Sequence, residues 1–592
     1  MSKLVIHNIL YPQNKSLPTR DLYFKKSSNV LSFQTYFNSF PIVKWEKYTS
    51  LSNLHLQLEI KGSCEIVFSE EKKDSTKPEI LFKRTFTEKI DIEIPYSKEN
   101  SFILSFELGN LSEDFCFFSG SFYTLAEKEH SRAINLGIGI CTYKREKNLI
   151  SNINNLQSHI LENKDSILYN NIKIYIADNG NTIKKAIETE NIKLNNRIHI
   201  YPNINAGGAA GFTRCIIEFF KDKNKPSHIL LMDDDVSFEP ETINRTASFL
   251  KLLKPKFYND FISGAMLKEE NPTIQQECGA NWDLSHCSFP RIIGKGYDLT
   301  NWTTVKENLI EKNANYSAWF FCCMPIGTFQ KNGLPLPFFI HFDDIEYGLR
   351  CKENVISVNG ICVWHPTENK YSPNMTFYDT RNSIATSFLR DNNANTRFNL
   401  IFLCLKRFID TITTYRYIEW ELFYKAVNDI IHISRNTFND PIKTHSLVIS
   451  KNYQSVPISE ISCPQKEISN KERTKIATYF KKRDFIKKLD AIISLFLLSV
   501  PSFKKDLCIM NTTPPFFHPF FRGRKRVYIY NKTTRTAFLL EKNAAKTIVM
   551  FVHLFSLCFG IFFNYSKARK NTNLYLQATT SNNFWSKHLL LD

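Results

Sequence analysis

The 592 residues carry 76 Lys and Arg against 58 Asp and Glu, a net charge of +18, and 43% are hydrophobic. This length and apolar content exclude a disordered chain and a small disulfide-held scaffold, and point to several globular domains. The positive balance favours an anionic neighbour: lipid, nucleic acid or a nucleotide-linked substrate.

The opening MSKLVIH lacks the basic end and apolar core of a signal peptide. The 14 cysteines form no C-x-x-C pair. Both fit a reducing cytosol with buried thiols, without a zinc or redox motif. Residues 1–130 read as β. The run from Leu54 to Ile60 alternates with period two, Gly62 breaks it, and the run from Glu65 to Phe68 follows. The runs from Ile90 to Pro95 and from Phe102 to Leu108 repeat the pattern, as expected of a β-sandwich.

From residue 131 to 385 the pattern changes. Strands are predicted at Ile134–Thr142, Ile172–Asp178 and from Ile198, alternating with helices over Glu146–Glu162 and from the glycine cluster Gly207, Gly208, Gly211 to Lys221. Such alternation builds a mostly parallel α/β sheet. Polar residues close the strands: Thr142, Asp178, then Asn203 or Asn205. Ligands of open α/β sheets bind at that carboxyl edge.

The run Ile229 to Val236 (ILLMDDDV) is a buried strand ending in Asp233, Asp234 and Asp235. Alternation points Asp233 and Asp235 the same way. Two converging carboxylates repel unless a cation lies between them, and Mg²⁺ or Mn²⁺ suits such oxygen ligands. A solvated acidic turn is the plain alternative. Asp343 and Asp344 follow an apolar run at a strand-to-helix junction. They read as helix caps, or as a general base for a sugar hydroxyl. His365, in Val-Trp-His-Pro, ends a further strand; it becomes a third metal ligand if the sheet brings it beside Asp235.

Residues 386–592 read as helical, with basic stretches over Lys471–Lys488 and at Arg522-Gly-Arg-Lys-Arg, and an aromatic proline-rich segment from Pro514. The stretch Thr547 to Phe563 (TIVMFVHLFSLCFGIFF), flanked by lysines and arginines, sits at the lower limit for a membrane span. It reads as a surface-lying or core helix.

Two other nucleotide-binding folds fit poorly. The glycine cluster continues into Phe-Thr-Arg, without the Lys-Ser or Lys-Thr of a P-loop ATPase. It also follows the third strand, not the first, unlike a dinucleotide-binding dehydrogenase. A carbohydrate-binding or scaffold protein with a dead catalytic domain would lack Asp235 and Asp344, and both are present.

Taken in order, Thr142-Tyr-Lys-Arg145, Asp178-Asn-Gly, Asn205-Ala-Gly-Gly-x-x-Gly-Phe, Asp233-Asp-Asp235, Trp319, Asp343-Asp344-x-Glu-Tyr-Gly and Trp364-His365 resemble family 2 glycosyltransferases of the GT-A fold. More closely, the chain is similar to bacterial galactofuranosyltransferases of the mycobacterial galactan-polymerase type. The likeness takes in Tyr36-Phe-Asn-Ser-Phe-Pro, Trp45 and the closing Asn583-Phe-Trp. It implies a GT-A-type mostly parallel sheet flanked by helices, an N-terminal β-sandwich and a C-terminal helical region. It implies an inverting, metal-dependent transfer of galactofuranose from UDP-galactofuranose to a glycan or lipid-linked glycan in bacterial cell-surface polysaccharide synthesis. A rhamnosyltransferase is the alternative.

By the same resemblance, Arg145 and Asp178 contact uridine, and Asp233, Asp235 and His365 hold UDP with Mn²⁺ or Mg²⁺. Asp344 is the base. Thr142, Asn205, Gly207, Asp234, Asp343 and Glu346 complete the donor pocket, and Trp319 and Phe320 form an aromatic pair near the acceptor. Asp379 stands where the family has histidine. The enzyme would be cytoplasmic, peripheral at the inner face of the cell membrane, without a nucleic-acid partner, and compatible with a homo-oligomer.

Overall fold

The computed structural model describes residues 2–591 except 14–16, 74, 76, 128, 130, 284–289, 368–371, 391–395, 434–437, 439, 482–492, 497, 511–515 and 532–534. The prolines at 514 and 515 and the basic residues of 482–488 lie outside the described residues.

The N-terminal domain is an antiparallel sheet of β1 (Ser2–Asn8), β2 (Lys25–Lys26), β3 (Val30–Ser32), β4 (His55–Lys72), β5 (Glu79–Glu93), β6 (Ser101–Gly109) and β7 (Cys116–Ala126). Alternation along β4 turns Leu56, Leu58, Ile60, Ile66 and Phe68 into one core. β5 runs along one edge of β4. On the other edge β7 pairs with its first half and β6 with its second. The layers of the expected sandwich thus belong to one sheet forked at β4. Gly62 does not end the strand. It sits at φ 78° in a bulge where pairing slips between Glu59 and Ser63, and a Cβ there would lie 2.3 Å from Ser112 Oγ.

The second sheet contains β8 (Leu136–Thr142), β9 (Ile172–Asp178), β10 (Ile198–Pro202), β11 (His228–Asp233), β12 (Phe261–Lys268) and β13 (Gln275–Glu277). After a small hairpin of β14 (Ala280–Asn281) and β15 (Arg291–Ile292), it is completed by β16 (Phe321–Pro325) and β17 (Val355–His365). Its order is β10-β9-β8-β11-β16-β12-β13, with β17 also on β12. β16 and β13 run against an otherwise parallel sheet, which fits the mixed α/β expectation. Glycines bring the helix Gly208–Lys221 close. A Cβ on Gly137 would fall 2.6 Å from the Phe219 ring, and one on Gly211 would fall 2.1 Å from Cys141 Sγ.

The two domains are joined by polar contacts under the helix Pro240–Leu252. Buried Glu241 accepts from the Asn8 backbone N–H at 2.7 Å, and Arg245 donates to the carbonyls of Phe37 and Asn8 at 2.9 and 2.8 Å. Phe37 of the β domain also packs on Trp364, with ring centroids 6.0 Å apart.

C-terminal helices are present as expected. The helix Met375–Arg390 runs across the anticipated boundary at 385. It packs with the helices Tyr417–Ile431 and Ala544–Ala578, and Arg397–Ile412 lies against the latter. A five-stranded sheet was not foreseen: β18 (Ser455–Pro457), β19 (Gln465–Glu467), β20 (Leu507–Met510), β21 (Arg526–Asn531) and β22 (Thr536–Glu541). The C-terminus packs back on the segment before the helix Asp343–Cys351, where buried Trp585 donates its indole N–H to the Pro335 carbonyl at 2.9 Å. The described cysteines are free thiols.

Candidate active site

Parallel register aligns the carboxyl ends of the central strands. Asp233 lies opposite Cys141, Thr142 opposite Asp178, and Asp178 opposite Pro202. On the other side of the sheet His365 ends β17 beside Lys268. A bridge between Ser237 and Trp364 pulls β17 back across the turn after β11. Distant residues therefore meet: His365 Nε2 lies 3.2 Å from Asp235 Oδ1 and 3.7 Å from Asp233 Oδ2.

Ligand atoms of Asp233, Asp235 and His365 all lie within 4.8 Å of one another. Arg145 forms an ion pair with Asp235 and lies 3.2 Å from Asp234. Burial disfavours charge on His365, but Asp233 and Asp235 outweigh it and push its pKa up to about 10. Burial would raise Asp235 too, yet the His365 hydrogen bond and the His365 and Arg145 charges hold it below its ordinary value. Two cationic side chains thus occupy the field of the acidic pair, and a cation satisfies the same field. Two carboxylates and an imidazole are a donor set that Mn²⁺ or Mg²⁺ accepts.

Asp234 lies in the turn after β11 and shares Arg145 with Asp235. Thr142 donates to it at 2.7 Å, while Asn152 donates to its backbone carbonyl at 3.2 Å and to that of Val236 at 2.8 Å. Burial pushes the Asp234 carboxyl up to about 6, against the pull of Thr142 and Arg145. Thr142 and Asp234 therefore shape the turn that presents Asp233 and Asp235.

Asp343 and Asp344 open the helix Asp343–Cys351. The turn before them holds Phe339, His341 and Phe342 at φ 64°, 61° and 70°, a left-handed run of non-glycine residues. Asn382 anchors it, donating to the carbonyls of Phe338, Ile340 and His341 at 2.9–3.1 Å. Burial pushes Asp343 up to about 6 and Asp344 further, the latter aided by the Asp343 charge. Asp343 feels Asp233 as a like charge, which ties this pair electrostatically to the metal-type cluster.

Two neighbours escaped the sequence reading. Glu277 at the end of β13 is buried, with Oε1 lacking any partner among the described residues. Its pKa is pushed up to about 7 by burial, and Asp344 feels its charge. His341 Nδ1 lies 2.7 Å from Asp379 Oδ1. Its side chain is exposed, and Asp379 raises its pKa. Asp379 alone was marked by the family comparison; no spacing signals its partner.

Other expected pocket residues have structural duties. Asp178 is buried and accepts from the N–H groups of Gly180 and Ile183 at 3.0 and 2.8 Å, so it caps a turn and a helix start. Asn205 accepts from the Gly207 N–H at 3.3 Å. Gly207 has φ 91°, and a Cβ there would stand 1.9 Å from the Phe339 carbonyl oxygen, to which Gly208 N–H donates at 2.7 Å. The glycine loop thus fits against the turn that carries Asp343. Trp319 and Phe320 are 5% and 7% exposed. Trp319 packs on Phe212 and Tyr347.

Glu346 needs correction. It is 0% exposed and bound by Arg350 and Arg390, with Arg390 Nε 2.9 Å away. Burial would raise its pKa, but the two guanidinium groups hold it low. A carboxylate so enclosed ties two helices together and is out of reach of a nucleotide.

Residues 12–110 match the family described as galactofuranosyltransferase 2 N-terminal. The chain is 25% identical over 376 residues to galactofuranosyltransferase GlfT2 of Mycobacterium tuberculosis (strain ATCC 25618 / H37Rv), covering 59% of this chain and 56% of that protein. It is 23% identical over 369 residues to the protein of the same name from Mycolicibacterium smegmatis, covering 59% and 55%. The chain thus spans about half the length of these curated relatives. Among solved structures, GalNAc-T7 with UDP, GalNAc and Mn²⁺ aligns over 48% of this chain and 53% of its own at 10% identity and a TM-score of 0.34. TarS of S. aureus aligns over 54% and 53% at 11% and 0.32. Over residues 12–110, and over 59% of its length, the chain is similar to the mycobacterial galactofuranosyltransferases.

Proposed function

We propose that the chain is an inverting glycosyltransferase, moving galactofuranose from UDP-galactofuranose to a hydroxyl of a glycan acceptor. The observation that carries this reading is the convergence of Asp233, Asp235 and His365 at one sheet edge, coupled to the half-buried carboxyl pair Asp343–Asp344. The donor sugar is taken from the relatives' printed names.

Asp233, Asp235 and His365 would hold Mn²⁺ or Mg²⁺, which when bound neutralises charge on a departing nucleoside diphosphate. Arg145, already beside Asp234 and Asp235, adds a positive charge at the same place. Asp344, as carboxylate, takes the proton of the acceptor hydroxyl. The hydroxyl oxygen then forms the new bond to the anomeric carbon while the bond from that carbon to the diphosphate oxygen breaks, its electrons leaving with UDP. One displacement inverts the carbon and needs no enzyme nucleophile. A carboxyl pair with raised pKa values is a stronger base, once ionised, than one in water.

The test is a donor screen, measuring nucleotide release and product configuration with UDP-galactofuranose, UDP-galactopyranose and dTDP-rhamnose on glycan acceptors. Inverting transfer from UDP-galactofuranose is expected. Preference for dTDP-rhamnose would move the chain to the rhamnosyltransferases, and no turnover with any donor would favour a carbohydrate-binding protein.

A further inference from the structure

The turn before Asp343 and Asp344 is held in an uncommon backbone conformation by one helix. Phe339, His341 and Phe342 lie at φ 64°, 61° and 70°, a region that L side chains seldom adopt. The helix Met375–Arg390 grips this turn three times. The Tyr378 ring stacks on Phe339 with centroids 5.5 Å apart, and Asn382 donates to the carbonyls of Phe338, Ile340 and His341. Asp379 takes the His341 side chain, its Oδ1 2.7 Å from Nδ1. Asp379 and Asn382 are three positions apart and share a helix face. Strain that the surrounding structure over-determines collects where a side chain must stand in one place. Here that side chain is His341, just ahead of Asp343.

The charges nearby show what a cation does there. Asp343 and Asp344 are adjacent half-buried carboxyls, and the buried Glu277 carboxyl is felt by Asp344 as well. Such a cluster resists losing its last protons, yet a general base must be ionised to work. His341 acts on both Asp343 and Asp344 as the opposing charge. Its Nδ1 is committed to Asp379, and Nε2 has no hydrogen-bond partner among the described residues. The side chain is 48% exposed, so water stabilises the imidazolium on one side and Asp379 on the other. Arg407 donates to Thr376 at 3.2 Å, one helical turn from Asp379, and lies in the field of Asp379. Arg381 faces the Phe338 carbonyl, and His445 stacks on Phe339 with centroids 4.3 Å apart.

We propose that His341 and Asp379 form a positioning pair for the base. Asp379 keeps the imidazole charged and in place, and the imidazolium favours the ionised form of Asp344, so that the acceptor hydroxyl meets a carboxylate. The pair acts through Asp344 and rests on the proposed transfer reaction. No bond forms or breaks at His341. Asp344 takes the proton of the acceptor hydroxyl, and the imidazolium eases its release to water before the next turnover. A histidine at position 379, as the family has, could not supply the counter-charge; Asp379 makes His341 a fixed charge in this chain.

The test is the pH dependence of kcat with UDP-galactofuranose, a glycan acceptor and saturating Mn²⁺, so that the Asp233 cluster is filled throughout. A cation lowers the pKa of a carboxyl beside it, so its loss raises that pKa. His341→Gln should therefore move the rising limb of the rate to higher pH by about one unit. Below both limbs that is about tenfold in kcat, with donor KM little changed. His341→Lys restores a cation that does not titrate in this range and should return the limb to its wild-type place. Asp379→Asn lets the imidazole discharge at lower pH and should move the limb as His341→Gln does, by less. In the His341→Lys background Asp379→Asn should have little further effect, because lysine keeps its charge without a partner.

An unmoved limb in His341→Gln would overturn the proposal. So would a rate lowered equally at every pH, which is the mark of a merely structural turn, or a rise in donor KM alone, which is the mark of a donor contact. A limb that stays displaced in His341→Lys would show that charge is not what matters. His341 is exposed, so its variants should unfold close to the wild-type temperature. Should His341→Gln not fold, the limbs of Asp379→Asn and His341→Lys decide, and an unmoved limb in Asp379→Asn overturns the pair. Transfer by the wild type with unmoved limbs in the variants refutes the pair alone. No transfer by the wild type from any donor refutes the reaction, and the pair with it.

Discussion

Replacing Glu346 with Gln tests whether this residue is a strut or a ligand-binding group. The side chain is fully enclosed and shared between Arg350 on its own helix and Arg390 on Met375–Arg390. Glutamine keeps the shape and one acceptor but leaves two guanidinium groups without their counter-charge. Removing one partner of a buried pair costs about 3–5 kcal/mol. Arg390 is 24% exposed and partly rehydrates, which lowers the expectation to about 2–4 kcal/mol. For a domain of this size that corresponds to a fall of about 5–15 °C in the unfolding transition. The sign of the pH dependence follows from the lowered pKa. The carboxylate stabilises the wild type above the ordinary glutamate value, and this is lost as pH falls through the folded value. Glu346→Gln should lack that part of the acid decline. Thermal unfolding across pH, with UDP binding by calorimetry, reads both effects. An unshifted transition with UDP binding abolished would refute the strut and restore Glu346 to the donor pocket.

Two further substitutions address the base and the turn behind it. Asp344→Asn should lower kcat by roughly 10²–10⁴ while donor binding survives; an active Asp344→Asn with a dead Asp343→Asn would exchange their roles. The wild-type rate should rise with pH through a limb above the ordinary carboxylate range, because the ionised pair is the active form and Asp343 is pushed up to about 6 with Asp344 higher. Where Asp343→Asn remains active, its limb should move to lower pH. Gly207→Ala combines a left-handed φ with a Cβ 1.9 Å from the Phe339 carbonyl, and backbone cannot swing aside as a side chain can. It should cost about 2 kcal/mol or more and disturb the turn carrying Asp343. Wild-type stability and UDP release in that variant would contradict this.

The parts of the molecule with strong local signals were legible in the sequence. Alternation in β4 and β6, unbroken apolar strands ending in polar residues, and the triplet after β11 each follow from one-dimensional pattern. What pattern cannot show is which side chains are enclosed. Glu346 sits in a motif beside Asp343 and Asp344, and only the approach of Arg390, 44 positions away, shows that its charge is already met. Glu277 occupies a three-residue strand, too short for any periodicity, and its closeness to Asp344 is purely tertiary. The C-terminal sheet escaped for the same reason, its strands being three to six residues long. Gly62 read as a strand end because a bulge and a break look alike until the partner strand is seen. The long helix is apolar on both sides, and sequence alone does not divide a packed stripe from an open one.

The most direct measurement of the central claim is UDP release from UDP-galactofuranose with a glycan acceptor, by the wild type and Asp235→Ala, in Mn²⁺ and after EDTA. Asp235 meets both His365 and Arg145, so its loss opens the cluster while the strand beneath stays packed. Release by the wild type in Mn²⁺, abolished by EDTA and absent from a folded Asp235→Ala, is the predicted result. Undiminished release in EDTA, or by Asp235→Ala, would contradict it.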